Sequence, residues 1–222
     1  MLTCITRIID WFRACIGLNR ITNEAFEKVY TIGLWGEDEN GRGTSGYGSE
    51  PAFNTEYIKF MRDFIIRNNI KTVVDIGCGD WQFSNDIYKD MDLTYYGYDC
   101  VKRVIEENKE RYNHIHKYHF KHINGDNILD NIKTTMDLLV LKDVIQHWPN
   151  EEIVEFLNEI KKKINFKYAL FTNDHTSKEN VDIAYGDYRP LNWSATPLNT
   201  FAVHSVFGFN TFDDKTTVKF LV

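Results

Sequence analysis

Residues 73–84 read VVDIGCGDWQFS. Together with Lys71 and Thr72, the β-branched run reads as a strand through Ile76, and it passes directly into Gly77-Cys78-Gly79. Two glycines one residue apart allow a tight strand-to-helix turn and let the backbone approach a ligand closely. A helix is expected over residues 81–88, starting at Trp81. The position that a third glycine would fill in a G-x-G-x-x-G dinucleotide loop is Gln82, so the turn is of the nucleotide-binding kind without being that fingerprint.

Working outward, residues 93–99, 118–123, 136–141 and 166–172 are further short apolar or β-rich runs. Helical spacing fills the gaps at residues 101–112 and 151–164, the latter with Asn150 as an expected N-cap and acids in its first turn. Upstream, Tyr57, Ile58, Met61, Phe64 and Ile65 set a helix over residues 54–68. Alternation of strand and helix predicts an α/β, doubly wound, mostly parallel sheet covered on both faces, because each parallel crossover needs a helix-sized connection. The tail departs from this pattern. Residues 200–207 and 216–222 are β-rich and separated by GFNTFDDK, which reads as a C-terminal antiparallel hairpin and brings the sheet to seven strands.

At 222 residues the chain has room for one well-buried core, read as a domain over residues 51–222 preceded by an N-terminal segment over residues 1–50. The net charge of -6 argues against a nucleic-acid partner, which calls for a basic stripe. Cys4, Cys15, Cys78 and Cys100 form no C-x-x-C pair and read as reduced thiols of an intracellular protein. In residues 1–18, Arg7, Asp10 and Arg13 interrupt every apolar run that could serve as a signal h-region or a membrane span. Ile5, Ile8, Ile9, Phe12 and Ile16 make that stretch an amphipathic helix, whose stripe packs on the domain or a second subunit, or lies weakly on a membrane surface. Residues 33–50 (GLWGEDENGRGTSGYGSE) read as a glycine-rich loop, either a lid or a plain linker.

Ligands of open α/β sheets bind at the carboxyl ends of the strands. Asp75, Asp80, Asp99 and Asp126 all fall at or just past such ends, and so many carboxylates would repel a pyrophosphate. They would serve S-adenosylmethionine, whose sulfonium, ammonium, ribose diol and adenine amine all seek acceptors. VVDIGCGDWQFS resembles the first motif of class I methyltransferases that use this cofactor. YYGYDC (95–100) resembles the second, NGDN (124–127) the third and DLLVLKDVIQHW (137–148) the fourth. The resemblance covers residues 71–174 and is closest to small methyltransferases with a GCGDWQFS loop and a KDVxQH segment, found near glycan-assembly enzymes and in large viruses. It implies the Rossmann-like methyltransferase fold, with its terminal hairpin, and a sugar hydroxyl as acceptor. Gly77 and Gly79 would lie under the methionine part, Asp75 would accept from its ammonium, Asp99 from the ribose hydroxyls, and Asp126 with Asn127 would face the adenine.

Methyl transfer to an alkyl hydroxyl requires alignment, and a base helps. His147 is the preferred base because imidazole titrates near neutrality, although a histidine there could equally pack or cap the next helix. Asp143, four residues earlier, would share a helical face with it and orient it or touch the acceptor. Asp143 and Asn173-Asp174 also resemble the magnesium ligands of catechol-type methyltransferases. Lys142 beside them argues against a metal, and the metal-free reading, in which Asn173, Asp174 and His175 line the acceptor pocket, is preferred. Acceptor contacts are expected from Lys142, Trp148, Asp174 and the loop YGDYRPLNW (185–193), in particular Arg189 and Trp193. A methyltransferase for another small molecule or a protein, and a non-catalytic binding subunit of the same fold, remain alternatives to a sugar O-methyltransferase.

Overall fold

A computed structural model describes residues 18–124, 128–210 and 214–220. The expected amphipathic helix of residues 1–17 lies outside the described residues. In chain order the elements are α1 (Leu18–Thr31), α2 (Thr55–Arg67), β1 (Thr72–Ile76), α3 (Ser84–Tyr88), β2 (Thr94–Asp99), α4 (Lys102–Tyr112), β3 (Tyr118–His122), α5 (Ile128–Asn131), β4 (Thr135–Lys142), α6 (Asn150–Lys163), β5 (Asn165–Asp174), β6 (Val203–Asn210) and β7 (Asp214–Phe220). All seven expected strands form, and they make one sheet in the order β3-β2-β1-β4-β5-β7-β6. Pairs from β3 through β5 are parallel, whereas β7 runs antiparallel to both β5 and β6. This is the Rossmann-like methyltransferase fold.

Both faces of the sheet are buried, which is why β4 reads as the nearly unbroken run TMDLLVLK. Neighbouring residues of a strand divide between two cores. Val74, Leu139, Leu141 and Phe171 pack with Ile153, Leu157 and Ile160 of α6 on one side. On the other side Val73, Leu138, Val140 and Leu170 pack with Tyr57, Met61 and Ile65 of α2 and Ile87 of α3. The register Val73↔Leu138 and Val74↔Leu139 keeps each set on its own face. Each such aliphatic side chain contributes about 1.5–3 kcal/mol on full burial.

Two local expectations are corrected and one helix is added. Trp81 does not start a helix: it takes φ 58°, turns its indole into the core at 1% exposure, and α3 begins at Ser84. Asn150 is the first residue of α6, with Pro149 at the cap position; its Nδ2 donates to Asn180 O instead. The helix α1 has no counterpart in the sequence reading, which assigns nothing to residues 19–32. Its Phe26 and Tyr30 enter the same core as the sheet. Among the described residues no helix is long and apolar enough to cross a membrane.

Candidate active site

The chain runs from β1 outward to β3, then returns to β4 on the other side of β1. The reversal opens a crevice at the carboxyl ends of β1 and β4, the place where open α/β sheets bind ligands. A cavity of about 380 Å³ lies there, within the range of small-molecule sites. Its wall includes Asp75, Gly77, Gly79, Asp99, Lys142, Asp143, His147, Trp148 and Asp174. The strand ends and the turns after them thus bring together most of the residues singled out in the sequence.

Gly77 and Gly79 both hold left-handed backbone, φ 74° and 59°. A Cβ on Gly77 would come within 2.5 Å of Val144 Cγ2, and one on Gly79 within 2.5 Å of Ser45 Oγ, so neither position accepts a side chain. The Gly79 N–H donates to Asp99 Oδ2 at 2.9 Å and the Val101 N–H to Asp99 Oδ1 at 2.9 Å. Each carboxylate oxygen keeps a further lone pair for a ligand. Burial raises the Asp99 pKa, partly offset by these amides. Asp75 is held by Tyr95 Oη at 2.7 Å, and Tyr95 Oη in turn accepts from Trp81 Nε1 at 2.8 Å. Burial pushes the Asp75 carboxyl up to about 7 despite that hydrogen bond, and Asp99 nearby adds to the rise. Asp80 does not join this pair on the wall. Its Oδ2 accepts from the Ser45 N–H at 2.9 Å while Ser45 Oγ accepts from the Asp80 N–H at 2.9 Å, which clasps the glycine-rich segment to the loop. Tyr30 Oη, 2.6 Å from Ser45 Oγ, completes the clasp.

The end of β4 is a charge cluster. Lys142 Nζ lies 2.6 Å from Asp143 Oδ2, and Lys215 Nζ of β7 lies 2.9 Å from Asp143 Oδ1 and 2.6 Å from Asp174 Oδ1. Tyr188 Oη donates to Asp174 Oδ2 at 3.0 Å, and Lys142 also donates to Gly48 O. Burial alone would raise the Asp143 carboxyl, but the two ammonium groups outweigh it and bring it to about 2. Asp143 has φ 57°, unusual for a residue with a side chain and of the order of 1–3 kcal/mol in cost. Its N–H bond to Thr172 O and both lysines hold it there.

His147 ends a 3-10 turn (Ile145–His147) and is buried. Its Nδ1 lies 2.9 Å from Asp187 O. A carbonyl only accepts, so Nδ1 carries the proton and Nε2 keeps its lone pair. Burial lowers the His147 pKa below the ordinary imidazole value, which keeps the ring neutral near pH 7. The Trp35 ring packs against it at 4.6 Å between centroids. Asp143 does not orient His147, contrary to the sequence reading. Its oxygens are taken by the two lysines, and the bend at φ 57° replaces the helical turn that would have aligned the two side chains.

A magnesium ion at Asp143 and Asp174 would need the oxygens that Lys142, Lys215 and Tyr188 already engage, so this donor set does not fit the metal. Four residues expected at the acceptor, Arg189, Trp193, Asn173 and His175, stand elsewhere. Arg189 is buried and spends its guanidinium on Gln146 O, Trp148 O and Asn150 Oδ1, bracing the turn that carries His147. Trp193 is buried and stacked on Phe171 in the core. Trp148 reaches the cavity wall while its ring packs on Phe156. His175 bonds to Leu191 O, and neither it nor Asn173 lines the cavity. Asp126 and Asn127 lie outside the described residues. The sequence reading missed Lys215, Tyr188, Trp35 and Ser45 as single residues, and no spacing signal marks them.

Residues 74–165 match the family model described as a methyltransferase domain. No curated protein sequence matches the chain. Among solved structures, the magnesium protoporphyrin IX methyltransferase of Synechocystis PCC 6803 with bound SAM superposes with a TM-score of 0.61 at 12% identity, over 90% of this chain and 95% of that one. The N-methyltransferase NodS of Bradyrhizobium japonicum WM9, in complex with S-adenosyl-L-homocysteine, gives 0.56 at 15% identity over 77% and 87%. An O-methyltransferase family protein of Burkholderia thailandensis gives 0.56 at 11%, over 75% of this chain but only 55% of that one, so the chain spans about half of that protein. The chain therefore carries the Rossmann-like methyltransferase fold, with a segment that matches a methyltransferase domain built around its cavity.

Proposed function

We propose that the protein transfers a methyl group from S-adenosylmethionine to an acceptor hydroxyl, and that the acceptor is a sugar of a glycan. The observation that carries the first part is the pairing, across one cavity, of acceptor groups suited to a cationic cofactor with a neutral histidine whose free nitrogen is Nε2. Asp99, braced by two backbone amides, would accept the ribose hydroxyls. Asp75 would accept from the methionine ammonium, above the side-chain-free surface of Gly77 and Gly79. The cofactor supplies a methyl carbon made electrophilic by its sulfonium. His147 Nε2 would take the proton of the acceptor hydroxyl, freeing that oxygen to receive the methyl group that the sulfonium would give up on becoming a neutral thioether. Alignment does the remaining work.

The sugar assignment rests on the resemblance of the GCGDWQFS and KDVxQH segments, and the aromatic side chains of Trp35, Tyr47 and Tyr188 on the cavity wall support it. Their faces suit the C–H face of a pyranose beside the polar cluster. The test is label transfer from S-adenosylmethionine to a panel of methyl glycosides, non-sugar alcohols and peptides, with calorimetry for the cofactor and for NAD. Labelled glycosides are expected. Label on another class would replace the sugar, and cofactor binding with no turnover would favour a binding subunit.

A further inference from the structure

Lys215 comes from β7, far in sequence from the glycine loop, and the strand-end charges are arranged around it. Its side chain is 4% exposed, yet it reaches the cavity wall. An ammonium has three N–H donors, and Asp143 Oδ1 and Asp174 Oδ1 take two of them. The other two carboxylate oxygens are held by Lys142 and Tyr188. Two lysines and two aspartates leave the cluster formally neutral, and its buried cations hold the Asp143 carboxyl below the usual carboxylate range. Although burial draws the Lys215 pKa down, the two carboxylates outweigh it and raise it, so the ammonium stays charged.

We propose that Lys215 is an acceptor-positioning residue: a fixed cation that joins the ends of β4 and β5 and gives its remaining N–H to the acceptor oxygen. The proposal rests on the methyltransferase reading above. An N–H from a buried ammonium orients the hydroxyl for attack and stabilises the negative charge that develops on its oxygen as His147 removes the proton. The residue does at this site what a divalent ion would do between two carboxylates, without a metal.

The test uses the full chain and the glycoside that accepts label. Lys215→Ala is expected to bind S-adenosylmethionine as the wild type does, and to lose transfer by about 10²-fold, the scale for removing one such donor. Added methylammonium, small enough for the space vacated, is expected to restore part of the rate. Wild-type turnover in Lys215→Ala would overturn the proposal, and so would a loss that methylammonium leaves untouched, because a merely structural role gives that result. Should Lys215→Ala fail to fold, the double variant Lys215→Met with Asp174→Asn removes one charge of each sign; slow transfer with intact cofactor binding supports the proposal, and wild-type turnover defeats it. If the wild type binds cofactor but labels nothing, the functional reading fails, and Mn²⁺ binding followed by electron paramagnetic resonance judges Lys215 by itself. Wild type is expected to bind no Mn²⁺ and Lys215→Ala to gain a site, since carboxylate oxygens suit hard divalent cations; no gain would mean that the ammonium does not stand in for a cation.

Discussion

His147 owes its state to one carbonyl. The bond from Nδ1 to Asp187 O fixes the tautomer, and burial keeps the ring neutral, so the nitrogen able to accept a proton is Nε2. His147→Ala should lower turnover by about 10² to 10⁴ while sparing cofactor affinity, as general-base losses do. The acid limb of the wild-type rate profile should have its midpoint below about 6.5, the ordinary imidazole value, and should vanish in the variant. Stability carries the same sign: the unfolded chain takes up the proton first, so this histidine costs stability as pH falls below about 6.5. Asp75 behaves in the opposite sense. With its carboxyl near 7, the unfolded chain loses the proton first, and stability declines as pH climbs from about 4 toward 7. A cationic cofactor beside it favours the ionised form, so binding should release a proton near neutral pH and tighten as pH rises. Calorimetry in two buffers of different ionisation enthalpy reads this directly; heats that do not depend on the buffer would remove Asp75 from the cofactor. Asp75→Asn should raise the melting temperature at pH 8 while weakening cofactor binding.

The element that decides access to the cavity is the glycine-rich segment after α1. Ser45 joins it to the loop after β1 through Asp80 and to α1 through Tyr30. Arg103 of α4 anchors it from the side by donating to Gly43 O. Ser45 and Gly48 line the cavity, so this segment forms part of the wall that any ligand meets. Ser45→Ala deletes two side-chain hydrogen bonds worth about 0.5–1.5 kcal/mol each. It should accelerate dissociation of S-adenosylhomocysteine in stopped-flow displacement and lower the melting temperature of the ligand-free protein by a few degrees. Equal off-rates in the two proteins would show that the segment does not gate release.

At the scale of the whole molecule, the sheet and its two cores supply the rigid frame. Leu139 lies in the middle of β4 at 0% exposure, and Leu139→Ala should cost about 2–5 kcal/mol in urea unfolding, since the helices on that face cannot collapse into the gap. Cofactor and fold are also linked. S-adenosylmethionine at a hundred times its dissociation constant should stabilise the native state by about 2.7 kcal/mol, whereas NAD should give no shift in melting temperature. Stabilisation by NAD alone would mean that the buried Asp75 and Asp99 do not select against a pyrophosphate.

Strand and helix were legible in the sequence because they are written locally. Period-two and helical spacing, the glycine pair after β1 and the turn signals depend on residues within a few positions of one another, and all seven strands follow from them. Asp75, Gly77, Gly79 and Asp99 could be placed at the cavity for the same reason: each lies at the end of a strand whose direction the alternation fixes. Lys215 and Ser45 could not, since they reach their partners across 72 and 35 residues, and only the strand order and the path of the glycine-rich segment bring them there. Arg189 and Trp193 fail in the reverse sense. Their chemistry suits a binding loop, but the chain after β5 folds back on the sheet and spends one on backbone carbonyls and the other on the core. A side chain's type is set by the sequence, whereas its direction and its partners are set by packing that closes over long stretches of chain.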